Sequence, residues 1–123
     1  MIARHLHRWD TRLRAAQCYT AAVAAWMLLI GVLSLTPGMP GGVNSGLLAH
    51  LGAYSLLSLL WWLACRRSGA ALLAAIGYGT GVELLQALIP YRTCEVLDLA
   101  INTLAAMIGL LPVVVAGQLR RRS

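Results

Sequence analysis

Charge is scarce in this chain. Only 11 % of its 123 residues are charged, against about 25 % in a soluble globular domain. That shortage excludes a protein that shields its core from water with ionic side chains. Acids are rarer still, with only Asp10, Glu83, Glu95 and Asp98. Lysine is absent, so all ten basic residues are arginine. Cys18, Cys65 and Cys94 are the only cysteines, and no two have the C-x-x-C spacing of a metal site. The expected topology puts Cys94 on the opposite side from the other two, so no intramolecular disulfide is expected. Small apolar-tolerant side chains are the favoured reading for all three.

In place of charge the chain has apolar residues, 59 % of the total, and a mean hydropathy of +0.73. Lipid is therefore the expected solvent. A spanning helix needs about 20 mostly apolar residues. Four such runs are predicted, approximately 15–36, 47–65, 70–89 and 96–117. Pro37 and Gly38 stop the first, and Pro90 closes the third. The connectors are short, which favours antiparallel neighbours. The predicted fold is all-α, a four-helix transmembrane bundle forming one domain over residues 1–123.

The net charge of +6 raises a nucleic-acid reading. The arginines argue against it, because they lie in short clusters between apolar runs. Arg4, Arg8, Arg12 and Arg14 precede the first run, Arg66 and Arg67 separate the second from the third, and Arg120, Arg121 and Arg122 follow the fourth. Positive residues concentrate on the cytoplasmic side of membrane proteins. Both termini are thus expected in the cytoplasm, with Arg92 alone on the other side. The first run is longer than the roughly 7–15 apolar residues of a signal peptide, and no clear A-x-A site follows it. Retention of that run is expected over cleavage, which would leave three spans.

Two segments carry packing or surface signals. Leu6, Trp9 and Leu13 among basic residues fit a short amphipathic helix on the inner leaflet, and a frayed basic tail fits equally. Gly77 and Gly81 form a G-x-x-x-G pair with Gly79 between them, a pattern that lets helices approach closely. Ala21, Ala22, Ala24 and Ala25 of the first run could supply the facing surface, and small-residue faces also admit a homo-oligomer.

The most informative residues are polar ones inside apolar runs. Glu83 lies seven residues before Pro90, about 10 Å from the end of its helix. A carboxylate in a bilayer costs about 3 kcal/mol on insertion scales, so it should face the bundle interior. Gln86 is three positions on and shares its face. Asp98 opens the fourth run, where an acid suits the positive end of the helix dipole. Asn102 follows one turn deeper and suits an interhelical hydrogen bond. His50 and Tyr54 form an i, i+4 pair in the second run. Arg92 is the natural counter-ion for Glu83 or Asp98, with Glu95 as a solvated competitor. His50, Tyr54, Glu83, Gln86, Arg92, Asp98 and Asn102 all fall in the outer half of the membrane or just outside it, and three helices place polar side chains at one depth. They form either a ligand-binding pocket or a structural polar network, and ionisable groups within a membrane point to the pocket.

These residues resemble the signature of VanZ-like membrane proteins. The stretch GYGTGVELLQALIPYRTCEVLDLAINTLAAMIG is similar to the family pattern of Glu-x-x-Gln, Pro-x-Arg and Asp-x-x-x-Asn, carried here by Glu83, Gln86, Pro90, Arg92, Asp98 and Asn102. LSLTPG resembles the end of the family's first helix, and HLGAY its His-x-x-x-Tyr, carried by His50 and Tyr54. The resemblance covers about residues 28–110. Gly46 and Leu47 stand where the family often has Asp-Lys, and Ala105 where it often has Gly. The resemblance implies a multi-pass protein of the bacterial cytoplasmic (inner) membrane with a role in the cell envelope. The family's namesake is associated with teicoplanin resistance.

Three functions fit. The first is binding of an amphiphile, meaning a lipid headgroup, a lipid-linked wall precursor or a lipopeptide, with Arg92 on an anionic group. The second is an intramembrane enzyme acting on a lipid or lipid-linked substrate, with Glu83 or His50 as base and Arg92 as electrostatic stabiliser. No nucleophile with an activating neighbour supports it, since Ser55 faces away from His50. The third is an oligomeric transporter or assembly subunit, but no row of polar residues crosses from face to face. No cofactor is expected, and one histidine among the candidates is a thin basis for a metal site.

Overall fold

The computed structural model describes residues 2–37, 43–91 and 96–123, and their side chains apart from those of residues 2–7 and 43–45. It contains four α-helices, α1 (Ile2–Leu35), α2 (Val43–Cys65), α3 (Ser68–Ala87) and α4 (Val96–Arg122). All four are long and apolar enough to span a membrane, and there is no strand among the described residues.

The helix ends differ from the sequence expectation in physically instructive ways. The basic N-terminal segment is neither a separate helix nor a frayed tail. It continues α1 without a break, because no glycine or proline occurs before Gly31. An exposed Asp10–Arg14 ion pair of 3.3 Å at i, i+4 adds a few tenths of a kcal/mol, roughly 0.2–0.5. At 1.5 Å per residue α1 is about 50 Å long, well beyond the roughly 30 Å of a hydrocarbon core. Its arginine-bearing turns therefore extend past the apolar layer. α3 ends at Ala87, earlier than expected, because a residue before proline disfavours the helical region and Ile89 precedes Pro90. The chain leaves α3 through a turn closed by Leu88 N–H to Leu85 O at 3.1 Å and Ile89 N–H to Gln86 O at 3.0 Å. α4 runs past Gly117 to Arg122 and holds Pro112 in its interior.

Cross-helix pairs give the directions. Tyr78 meets Met27 and Gln86 meets Ser34, so α1 and α3 run parallel. His50 meets Asn102 and Ser55 meets Ala105, so α2 and α4 run parallel. Consecutive helices are antiparallel, as the short connectors predict. α2 is central and packs on the other three, most extensively on α4, while α1 and α4 make no contact among the described residues.

Small residues hold α2 and α4 together. Ala105 and Ala106 are fully buried. At Gly109 a Cβ would overlap the Ser55 carbonyl oxygen and lie 2.7 Å from its carbon. The missing side chain lets the two backbones touch, and Ser55 Oγ–H uses that proximity to donate to Ala105 O at 2.8 Å. α1 is fastened differently, by side chains that donate to backbone carbonyls. Trp26 Nε1–H donates to Ala53 O at 2.9 Å, and Tyr78 O–H donates to Met27 O. Around these contacts lies a core of Ile30, Tyr54, Leu57, Ala75, Ala105 and Ala106. Leu28, Leu73, Leu84, Leu104 and Leu111 point outward, as lipid-facing side chains should.

The G-x-x-x-G expectation is not met within the chain. Among the described residues nothing lies within 4 Å of a Cβ built on Gly77 or Gly81. Ala21, Ala24 and Ala25 are exposed as well, so they do not face that pair. α3 presents the intervening Gly79 to the bundle instead, because a rotation of two residues moves a side chain to the opposite face of a helix.

Candidate functional site at one end of the bundle

The helix directions gather the C-terminal ends of α1 and α3 and the N-terminal ends of α2 and α4 at one end of the bundle. The described arginines cluster at the opposite end, in the first turns of α1, the α2–α3 turn and the last turn of α4. In that turn Arg66 adopts φ 57°, a left-handed conformation usually taken by glycine, and its guanidinium lies 4.8 Å above the Trp62 ring.

At the polar end, His50 of α2 and Asn102 of α4 are hydrogen-bonded, Nδ1 to Oδ1 at 2.6 Å. An amide oxygen only accepts, so Nδ1 carries the hydrogen. One turn on, the Tyr54 ring stacks parallel to the imidazole, with centroids 6.2 Å apart and 6° between planes. Tyr54 and Asn102 both close on Gly79 of α3. A Cβ there would lie 2.9 Å from Tyr54 Cε1 and 3.4 Å from Asn102 Nδ2. Three helices thus meet at a point where one of them has no side chain. Glu83 is one turn farther along α3, 3 % exposed, and lies within electrostatic reach of Tyr54. Asn102 is 1 % exposed, and its Nδ2 has no hydrogen-bond partner among the described residues.

Gln86 is buried but turned towards α1, where Nε2 donates to Ser34 O at 2.9 Å. Ser34 O is among the four carbonyls that a helix leaves unpaired at its C-terminus. Tyr91 O–H reaches the neighbouring Leu35 O at 3.4 Å. Gln86 therefore caps α1 while bordering the site. Asp98 is half-buried in the first turn of α4 and makes no hydrogen bond or ion pair among the described residues. Arg92, Cys94 and Glu95 lie outside the described residues. Among the described residues, no three His, Cys, Asp or Glu side chains group as metal ligands.

His50, Tyr54, Glu83 and Asn102 are thus brought together, Gln86 and Asp98 flank them, and two residues were missed. Gly79 was read only as the centre of the wrong glycine pair. Gly109 was overlooked although Ala105-x-x-x-Gly109 is itself a small-x-x-x-small pattern, the signal that would have found it.

Four apolar helices with Glu83, Gln86 and Asn102 buried towards one end describe a multi-pass membrane protein. A family model described as VanZ/LLP1 matches residues 6–117, nearly the whole chain. The chain belongs to the VanZ/LLP1 family. No curated protein and no solved structure matches it.

Proposed function

We propose that this protein binds the headgroup of a membrane amphiphile at the end of the bundle where His50, Tyr54, Glu83 and Asn102 meet. The proposed setting is the cytoplasmic membrane of a bacterium, with both termini in the cytoplasm and the polar end facing outward. The carrying observation is the 2.6 Å bond between His50 and Asn102, made by an asparagine whose other amide atom is buried without a partner among the described residues. A buried polar group without a partner costs about 1–3 kcal/mol. A polar headgroup that reaches Asn102 Nδ2 would recover that energy. Orientation follows from the arginines at the opposite end, on the side where positive residues are retained.

Cells lacking the protein provide the test. Their teicoplanin tolerance and envelope-lipid composition are measured after restoring the wild type, Glu83→Gln or His50→Ala. The expected result is tolerance restored by the wild type alone, with unchanged lipid composition. A lipid species present only with the wild type would replace binding by catalysis, with His50 or Glu83 as base. Wild-type tolerance from both variants would remove the site altogether.

A further inference from the structure

We infer that the headgroup taken by this site is zwitterionic, with a primary ammonium close to a phosphate or carbonyl oxygen. The inference rests on the binding reading above and specifies its ligand. It starts from the atoms that the site leaves unused. With Nδ1–H committed to Asn102, the other nitrogen of a neutral His50 ring, Nε2, is an acceptor, and it has no partner among the described residues. Asp98 is acceptor-only when ionised and is likewise unpartnered among the described residues. It stands one turn from Asn102 on the same face of α4. His50 and Asp98 are both half-buried, hence reachable from outside the bundle. The two reachable groups therefore seek a donor.

Charge points the same way. From Glu83 to Asp98 the sequence holds three of the chain's four acids against one of its ten arginines, in a protein of net charge +6. By this local excess of acids the stretch favours a cation. Deeper in, the requirement reverses. Asn102 Nδ2 is a donor, buried and unpartnered among the described residues, and it needs an acceptor. An ammonium on His50 and Asp98, with an oxygen of the same headgroup directed at Asn102, satisfies both layers. A quaternary ammonium has no N–H to offer Nε2, and a purely anionic headgroup meets Asp98 with like charge.

The full chain is reconstituted in vesicles of equal parts phosphatidylethanolamine, phosphatidylcholine and phosphatidylglycerol. It is then released gently, and the lipids retained are counted by native mass spectrometry. Phosphatidylethanolamine should be retained over each of the others by about tenfold, the equivalent of roughly 1.4 kcal/mol. That preference should vanish in His50→Ala and in Asp98→Asn, each checked for native helix content. Soluble phosphoethanolamine is added as a competitor. Loss of the lipid to it identifies the headgroup alone as the ligand, and resistance shows that the acyl chains take part. Equal retention of phosphatidylcholine, or enrichment of phosphatidylglycerol that His50→Ala abolishes, would overturn the ammonium inference while leaving the binding reading intact. Retention of all three lipids in bulk proportion, in wild type and variants alike, would remove both.

Discussion

Replacing Gly109 with valine should separate α2 from α4 and break the His50–Asn102 hydrogen bond about two turns away. The reason is steric and local. Even a Cβ at this position overlaps the Ser55 carbonyl and lies 2.5 Å from Ser58 Oγ. Both neighbours are fixed, because Ser58 is fully buried and bonded to Ser55 O at 3.0 Å, and the other obstruction is backbone. The helices themselves must move. Overpacking in a well-filled core costs about 1–3 kcal/mol, and displacement of backbone puts this case at the upper end. The loss should be read by thermal unfolding in mild detergent, followed by far-ultraviolet circular dichroism. Gly81→Val is the matched control, since a side chain there enters open space. Equal stability of the two variants would mean that α2 and α4 do not touch at Gly109.

The second large effect should fall on the site more than on the fold. Gly79→Ala places a methyl group 2.9 Å from Tyr54 Cε1 and 3.4 Å from Asn102 Nδ2. Tyr54 is 2 % exposed, so its ring has no free volume to enter. It must tilt away from the stack with His50 or push on Asn102. A cost of about 1–2 kcal/mol is expected, together with loss of amphiphile retention. Gly77→Ala and Gly81→Ala flank it on the same helix and should retain wild-type binding by the monomer. Three glycines spaced two residues apart thus make a graded test. An effect at Gly77 or Gly81 equal to that at Gly79 would contradict the orientation of α3. An effect confined to Gly77 and Gly81 and dependent on protein concentration would assign those glycines to contact between copies of the chain.

The contrast between these glycines shows what the sequence carries and what it does not. Span number and fold class follow from hydropathy and helix length, because a bilayer admits few alternatives. The collection of polar residues at one end followed from counting residues inward from Pro90 and from the start of the fourth run. Depth is a one-dimensional property, and sequence records it well. The facing of side chains is a rotational property. Gly79 lies on the opposite face of α3 from Gly77 and Gly81, and only the neighbours decide which face is buried. Gln86 shows the same limit. Its place beside Glu83 was legible, but its donation to Ser34 O depends on how α1 packs against α3. The continuity of α1 through its basic segment was also hidden, since arginine-rich tails and arginine-rich helices have similar composition.

The central claim is that His50 on α2 and Asn102 on α4 act as one unit at the polar end of the bundle. A double-mutant cycle on unfolding free energy, using His50→Ala, Asn102→Ala and the double variant, tests it most directly. Measured interhelical hydrogen bonds in membranes average about 0.6 kcal/mol and reach about 1.7, so a coupling within or near that range is predicted, with the double variant less destabilised than the sum of the singles. Strict additivity of the two substitutions would contradict the claim.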